Sequence, residues 1–94
     1  MAYVYILFSK KLNNYYTGSC LDLKDRLTKH HFKAFSNSYT AKADDWVLFF
    51  CIDNLSYKQA RGIEMHIKKM KSKSFIKNLH KYPELSQKLI SKYK

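Results

Sequence analysis

Two tyrosines, an arginine and a histidine in the first third of the chain have the types and spacing for chemistry on a phosphodiester. Residues 3–31, YVYILFSKKLNNYYTGSCLDLKDRLTKHH, hold two strand-like runs, Tyr3 to Phe8 and Tyr15-Tyr16-Thr17, with lysines and the pair Asn13-Asn14 between them. Aromatic and branched runs separated by turn-forming residues predict a β-hairpin. Pairing Tyr16 with either Tyr5 or Leu7 leaves both tyrosines on one face, because side chains alternate along a strand. Gly18 ends the second run. Asp22 then caps a helix from Leu23 to about Phe32, with Leu23, Leu27 and His31 at helical spacing. Arg26 and His30 are four apart and share a face of that helix. Phenol, guanidinium and imidazole meet, which is the equipment for moving a proton beside a phosphate.

A fifth candidate stands far along the chain. Ser56-x-x-Gln59 has capping-box spacing before a helix running to about Met70, whose Ala60, Ile63, Ile67 and Met70 form an apolar stripe. With about 100° per residue, Glu64 falls at the edge of that stripe, where a carboxylate needs a partner. Two readings stay open on spacing alone: a salt bridge to a lysine or to Arg61, or a ligand for a divalent metal. Tyr5 and Tyr16 likewise have a plain alternative as packing aromatics, and Arg26 as a partner of Asp22. Gly62, in the same helix as Glu64, implies a close approach of backbone or ligand.

Ninety-four residues make one domain, 1–94, with a single modest core. Hydrophobic residues at 46% favour a folded globule over a basic tail. Eighteen basic side chains, only two of them arginine, against seven acids give a net charge of +11, which calls for an anionic partner, nucleic acid first. The excess is concentrated in residues 68–94, a lysine-rich part in which Phe75, Ile76 and Leu79 suggest a short helix and Pro83 starts another. Residues 67–94 alone carry eight net positive charges. That surface is expected to bind phosphates.

The segment 33–45 reads as a loop, in which Tyr39 and the lysines offer contacts to a nucleic-acid strand. The run Trp46 to Ile52 reads as a strand, apolar on both faces and hence central, ended by Asp53-Asn54. It completes an α/β fold: a small three-stranded, mainly antiparallel sheet flanked by helices. Cys20 and Cys51 have no zinc spacing and read as free thiols, Cys51 buried in its strand. No leader segment and no membrane span are visible, so the expectation is a cytoplasmic protein with no membrane partner. Oligomeric state is not set by the sequence.

In these elements the chain resembles the GIY-YIG endonuclease domain superfamily, its small stand-alone members in particular, and is similar to the catalytic domain found in excinucleases. Tyr3-Val4-Tyr5 stands at the Gly-Ile-Tyr motif and Tyr16-Thr17-Gly18 at the Tyr-Ile-Gly motif. Asp22-Leu23-x-x-Arg26-Leu27-x-x-His30 matches the following helix, and Ala60-x-x-x-Glu64-x-x-Ile67-Lys68 looks like the metal-binding segment. Tyr3, Val4 and Thr17 depart from the literal motifs at structural positions. The resemblance implies a metal-dependent endonuclease acting on DNA, in repair or recombination. Glu64 would hold Mg²⁺ or Mn²⁺, Tyr5 would take the proton of the attacking water, Tyr16 would position water or phosphate, and Arg26 would grip phosphate oxygens. His30 would relay a proton or contact the phosphate. Some relatives carry a lysine after the second motif's glycine, where Ser19 stands, and Asn78 falls where some have a functional asparagine. The reading from another class is a nucleic-acid-binding module or accessory protein with little or no cleavage.

Overall fold

The computed structural model describes residues 1–31 and 42–94, the side chains of 29–31 excepted. Strands β1 (Ala2–Ser9) and β2 (Asn14–Cys20) lead into α1 (Leu23–His31), followed by β3 (Val47–Leu55), α2 (Tyr57–Met70), α3 (Lys73–Lys81) and α4 (Pro83–Lys92). The three strands form one antiparallel sheet in the order β2-β1-β3. The α/β architecture is the expected one, a three-stranded sheet flanked by helices.

The hairpin register is Leu7 opposite Tyr16 and Tyr5 opposite Gly18. Its turn closes with Asn13 in the left-handed region (φ 49°), the Asn13 N–H donating to the Lys10 carbonyl at 3.2 Å. Asparagine tolerates that conformation better than most side chains, which accounts for its place in the turn. Asp45 fastens the turn from across the chain. Its carboxylate accepts from the Ser9 hydroxyl at 2.6 Å and from the Lys11 N–H at 2.9 Å, and these bonds hold its pKa below the usual carboxylate range.

The central strand is β1, and not the third strand that the apolar run at 46–52 suggested. Ala2, Val4, Tyr5, Ile6 and Leu7 are all buried, whereas Val47 and Leu48 on the edge strand β3 are exposed. An apolar run is ambiguous between a strand covered on both faces and an edge strand, and here it is the edge. Trp46 lies just before β3 and packs in a core. The strand also does not stop at Asp53-Asn54: it continues to Leu55 through an irregular register, with Asn54 at φ 63°. Such a bulge bends an edge strand without ending it. Cys51 is exposed rather than buried.

Alternation along β1 separates two cores. Val4 and Ile6 pack with Ile52, Ala60, Ile63, Ile67 and Leu79 beneath α2, α3 and α4, while Tyr5 and Leu7 pack with Cys20, Trp46, Leu23 and Leu27 beneath α1. The helices start where the caps predict. The Asp22 carboxylate accepts from the Asp25 N–H at 3.0 Å, Ser56 and Gln59 form the reciprocal capping box, and Pro83 opens α4. Gly62 makes room for the ring of Tyr93, so the close approach inferred at that position is an aromatic side chain.

Candidate active site at the free edge of the hairpin

Tyr5 and Tyr16 project onto the α1 face, their ring centroids 6.4 Å apart. Tyr16 also meets Trp46 edge-on at 6.4 Å. The Tyr5 phenol lies against its cross-strand partner Gly18, where an added Cβ would fall within 3.0 Å of the Tyr5 hydroxyl, Cζ and Cε1. Gly18 therefore does not end β2, as punctuation by glycine suggested. It sits inside the strand without positive φ, and it is glycine because the Tyr5 ring occupies the space of a side chain.

Arg26 reaches the same spot from the first turns of α1, and its guanidinium hydrogen-bonds the Tyr5 hydroxyl. Burial nevertheless dominates. It pushes the Tyr5 phenol well above its ordinary value near 10, the neighbouring Tyr16 adds to the rise, and Arg26 pulls it back only in part. Tyr5 is a neutral phenol at neutral pH.

Glu64 is rooted on the other side of the sheet. It projects from α2 between Ile63 and Ile67, is 6% exposed, and accepts a hydrogen bond from the Ser19 hydroxyl at 2.5 Å. Ser19 pairs with Val4, whose side chain belongs to the α2-face core, so the carboxylate stands on the α2 face of the edge strand β2. Lys68 closes on its second oxygen at 2.7 Å, and Arg61 lies 3.4 Å from the first. Both salt bridges that the sequence left open are present.

One side chain joins the two halves around the strand edge. The Lys68 ammonium, bound to Glu64, also stands 5.7 Å from the centre of the Tyr16 ring. The structure thus brings Tyr5, Tyr16 and Arg26 together directly, and brings Glu64 to Tyr16 through Lys68. His30 falls on α1, but its side chain lies outside the described residues, as does all of Tyr39. Asn78 is an exposed residue of α3 whose carbonyl caps the chain at Tyr82. Sequence reasoning gave Lys68 no individual role, although its spacing four residues after Glu64 is that of a facing pair on a helix.

A family model described as the GIY-YIG catalytic domain matches residues 1–79 of the 94 in the chain. The chain belongs to the GIY-YIG family. Comparison with curated proteins gives no match, and comparison with solved structures gives none. GIY-YIG domains are generally nucleases and typically use divalent metal ions.

The residues of this GIY-YIG domain suit such an ion in one way. Among the described residues no three His, Cys, Asp or Glu side chains cluster as a metal cage, so the ion would rest on the single carboxylate of Glu64. A hard ion that retains most of its water accepts one carboxylate plus substrate oxygens. The buried Glu64 carboxylate with the Ser19 hydroxyl beside it is an all-oxygen donor set of that kind. Lys68 and Arg61 occupy both carboxylate oxygens, so an ion would have to displace one of them.

Proposed function

We propose that this GIY-YIG domain is a metal-dependent endonuclease that hydrolyses DNA phosphodiester bonds by direct attack of water. The observation that supports the proposal is that both groups of residues stand at the edge strand β2, on its opposite faces and not on one face as the sequence reading expected. The Tyr5–Arg26 pair and Tyr16 on one face meet the Glu64 carboxylate on the other through the shared ammonium of Lys68.

In this reading Arg26 keeps the planar fork of its guanidinium on the phosphate oxygens while one N–H holds the Tyr5 hydroxyl. Tyr16 positions the attacking water or the phosphate at the strand edge. Tyr5, as the phenolate left once its own proton has passed to solvent, accepts the proton of that water as the new P–O bond forms and the opposite P–O bond breaks, with the leaving oxygen protonated from solvent. His30, four residues after Arg26 on α1, is the candidate for returning the proton. Glu64 would hold Mg²⁺, or Mn²⁺ in its place, which would neutralise charge on the phosphoryl group. Because burial raises the Tyr5 pKa, the base role depends on the opposing pull of the Arg26 guanidinium. The part of the basic segment 68–94 that lies nearest the strand edge serves as the DNA contact, and the biological setting that fits is cytoplasmic repair or recombination.

A second reading, a nucleic-acid-binding module without useful cleavage, draws support from the same site. Both Glu64 oxygens are already held by cations, and the Tyr5 phenol is pushed away from its basic form. Incubation of the purified chain with Mg²⁺ or Mn²⁺ and plasmid, branched or single-stranded DNA separates the two. Cleavage that disappears in Glu64→Ala while binding persists supports the endonuclease; binding without cleavage by the wild-type chain supports the module.

A further inference from the structure

The lysines of the C-terminal third are not one undifferentiated surface. Lys68, Lys71 and Lys73 line a groove of about 660 Å³ between the edge strand β2 and the junction of α2 with α3, whose opposite wall is Asn14, Tyr15, Tyr16 and Thr17. Tyr16 and Lys68 belong both to this groove and to the candidate active site, so the two are continuous. Lys88 and Lys92 lie on α4, outside it.

We infer that this groove carries one strand of the nucleic-acid substrate away from the scissile phosphate, with Lys71 and Lys73 as its phosphate contacts. The inference rests on the nuclease reading above and specifies where its substrate lies. Charge complementarity gives the first argument. Lys71 and Lys73, beside the Lys68–Glu64 pair, put net positive charge along one open groove with an aromatic ring in its wall, the combination that holds a phosphate backbone and leaves a base face to stack.

The backbone of Lys71 points the same way. It caps α2 in the left-handed conformation, φ 48° and ψ 39°, where glycine or asparagine is the usual residue because a Cβ is strained there. Its N–H bonds the Lys68 carbonyl at 3.3 Å, and that bond would survive replacement by glycine. A long cationic side chain at a cap position where glycine or asparagine is usual points to a role outside the fold. Lys73 extends the row: its ammonium donates to the Asn13 carbonyl at 2.7 Å, tying the hairpin turn to the start of α3 and retaining N–H groups for a phosphate.

The test is binding of a fluorescein-labelled single-stranded oligonucleotide, followed by anisotropy against salt in the presence of a chelator, so that cleavage plays no part. The double variant Lys71→Gln/Lys73→Gln is compared with Lys88→Gln/Lys92→Gln, which removes the same charge from α4. The groove variant should bind more weakly and lose about 1.4 from the slope of log affinity on log salt, roughly 0.7 per phosphate contact on a single strand. The α4 variant should keep the wild-type slope. Lys71→Gly should weaken binding without lowering the melting temperature, since it relieves the strained position. Equal slope losses in the two double variants would overturn the groove assignment and leave the nuclease reading standing. So would a Lys71→Gly chain that melts earlier and binds normally. A wild-type chain with no salt-dependent binding would overturn both.

Discussion

The phenol of Tyr5 fills the space that a side chain at Gly18 would need. The match is tighter than at Gly62, where an added Cβ would come 2.7 Å from Cδ1 of Tyr93. The two neighbours differ in their freedom to yield. Tyr5 is fully buried and hydrogen-bonded to Arg26, whereas Tyr93, although its hydroxyl meets His66, is half-buried beyond the end of α4. Gly18→Ala is therefore expected to destabilise by roughly 1–3 kcal/mol, the range for overpacking, and to reduce cleavage by displacing Tyr5. Gly62→Ala should be close to neutral, because an alanine gains about 1 kcal/mol of helix propensity against the cost of turning Tyr93 aside. Urea unfolding midpoints of the two variants check this, and equal shifts would refute it.

The raised pKa of Tyr5 sets a pH profile. If Tyr5 must be deprotonated to act, its basic fraction grows tenfold per pH unit everywhere below that pKa, which burial places above the ordinary phenol value. The single-turnover cleavage rate should climb steadily from pH 7 to 9 with no plateau, and Tyr5→Phe should be slow and flat across the same range. A wild-type plateau already at neutral pH would show that another group takes the proton.

His66 gives a pH effect on stability that is independent of cleavage. Burial, with Lys92 and Lys69 nearby, holds its pKa below the ordinary 6.5, and its Nδ1 lies 2.9 Å from the Tyr93 hydroxyl. Above pH 6.5 the ring is neutral in both folded and unfolded chains, so this contribution is fully present. As pH falls below 6.5 the unfolded chain binds the proton first and stability is lost down to the folded pKa. The melting temperature of the wild-type chain should drop between pH 7 and 5.5, and His66→Gln should drop less. Identical losses would mean that other groups control this range.

The parts of the fold carried by local chemistry were legible in the sequence. The hairpin, the Asp22 and Ser56 caps and the start of α4 at Pro83 all follow from residues within a few positions of one another. What the sequence concealed depends on tertiary position. An apolar run at 46–52 has the same composition whether its strand is central or at the edge, and only the order β2-β1-β3 decides that β1 is covered on both sides. Gly18 looked like punctuation because its reason is the ring of Tyr5, on the neighbouring strand. The site was legible as types: Tyr5 with Tyr16 on one face, Arg26 beside them, Glu64 at the margin of its stripe. The rooting of Glu64 on the opposite face, and the bridging by Lys68, emerge only once α2 packs on the sheet.

The central claim is that the groups on the two faces act on one phosphate, and a double-mutant cycle on Tyr5 and Glu64 tests it most directly. Single-turnover cleavage of a labelled DNA with Mg²⁺ is measured for the wild-type chain, Tyr5→Phe, Glu64→Gln and the pair combined. Groups that work as a unit are strongly non-additive, so the combined variant should be no slower than the slower single one. Losses that multiply in full, or a Glu64→Gln chain that cleaves at the wild-type rate, would contradict the account.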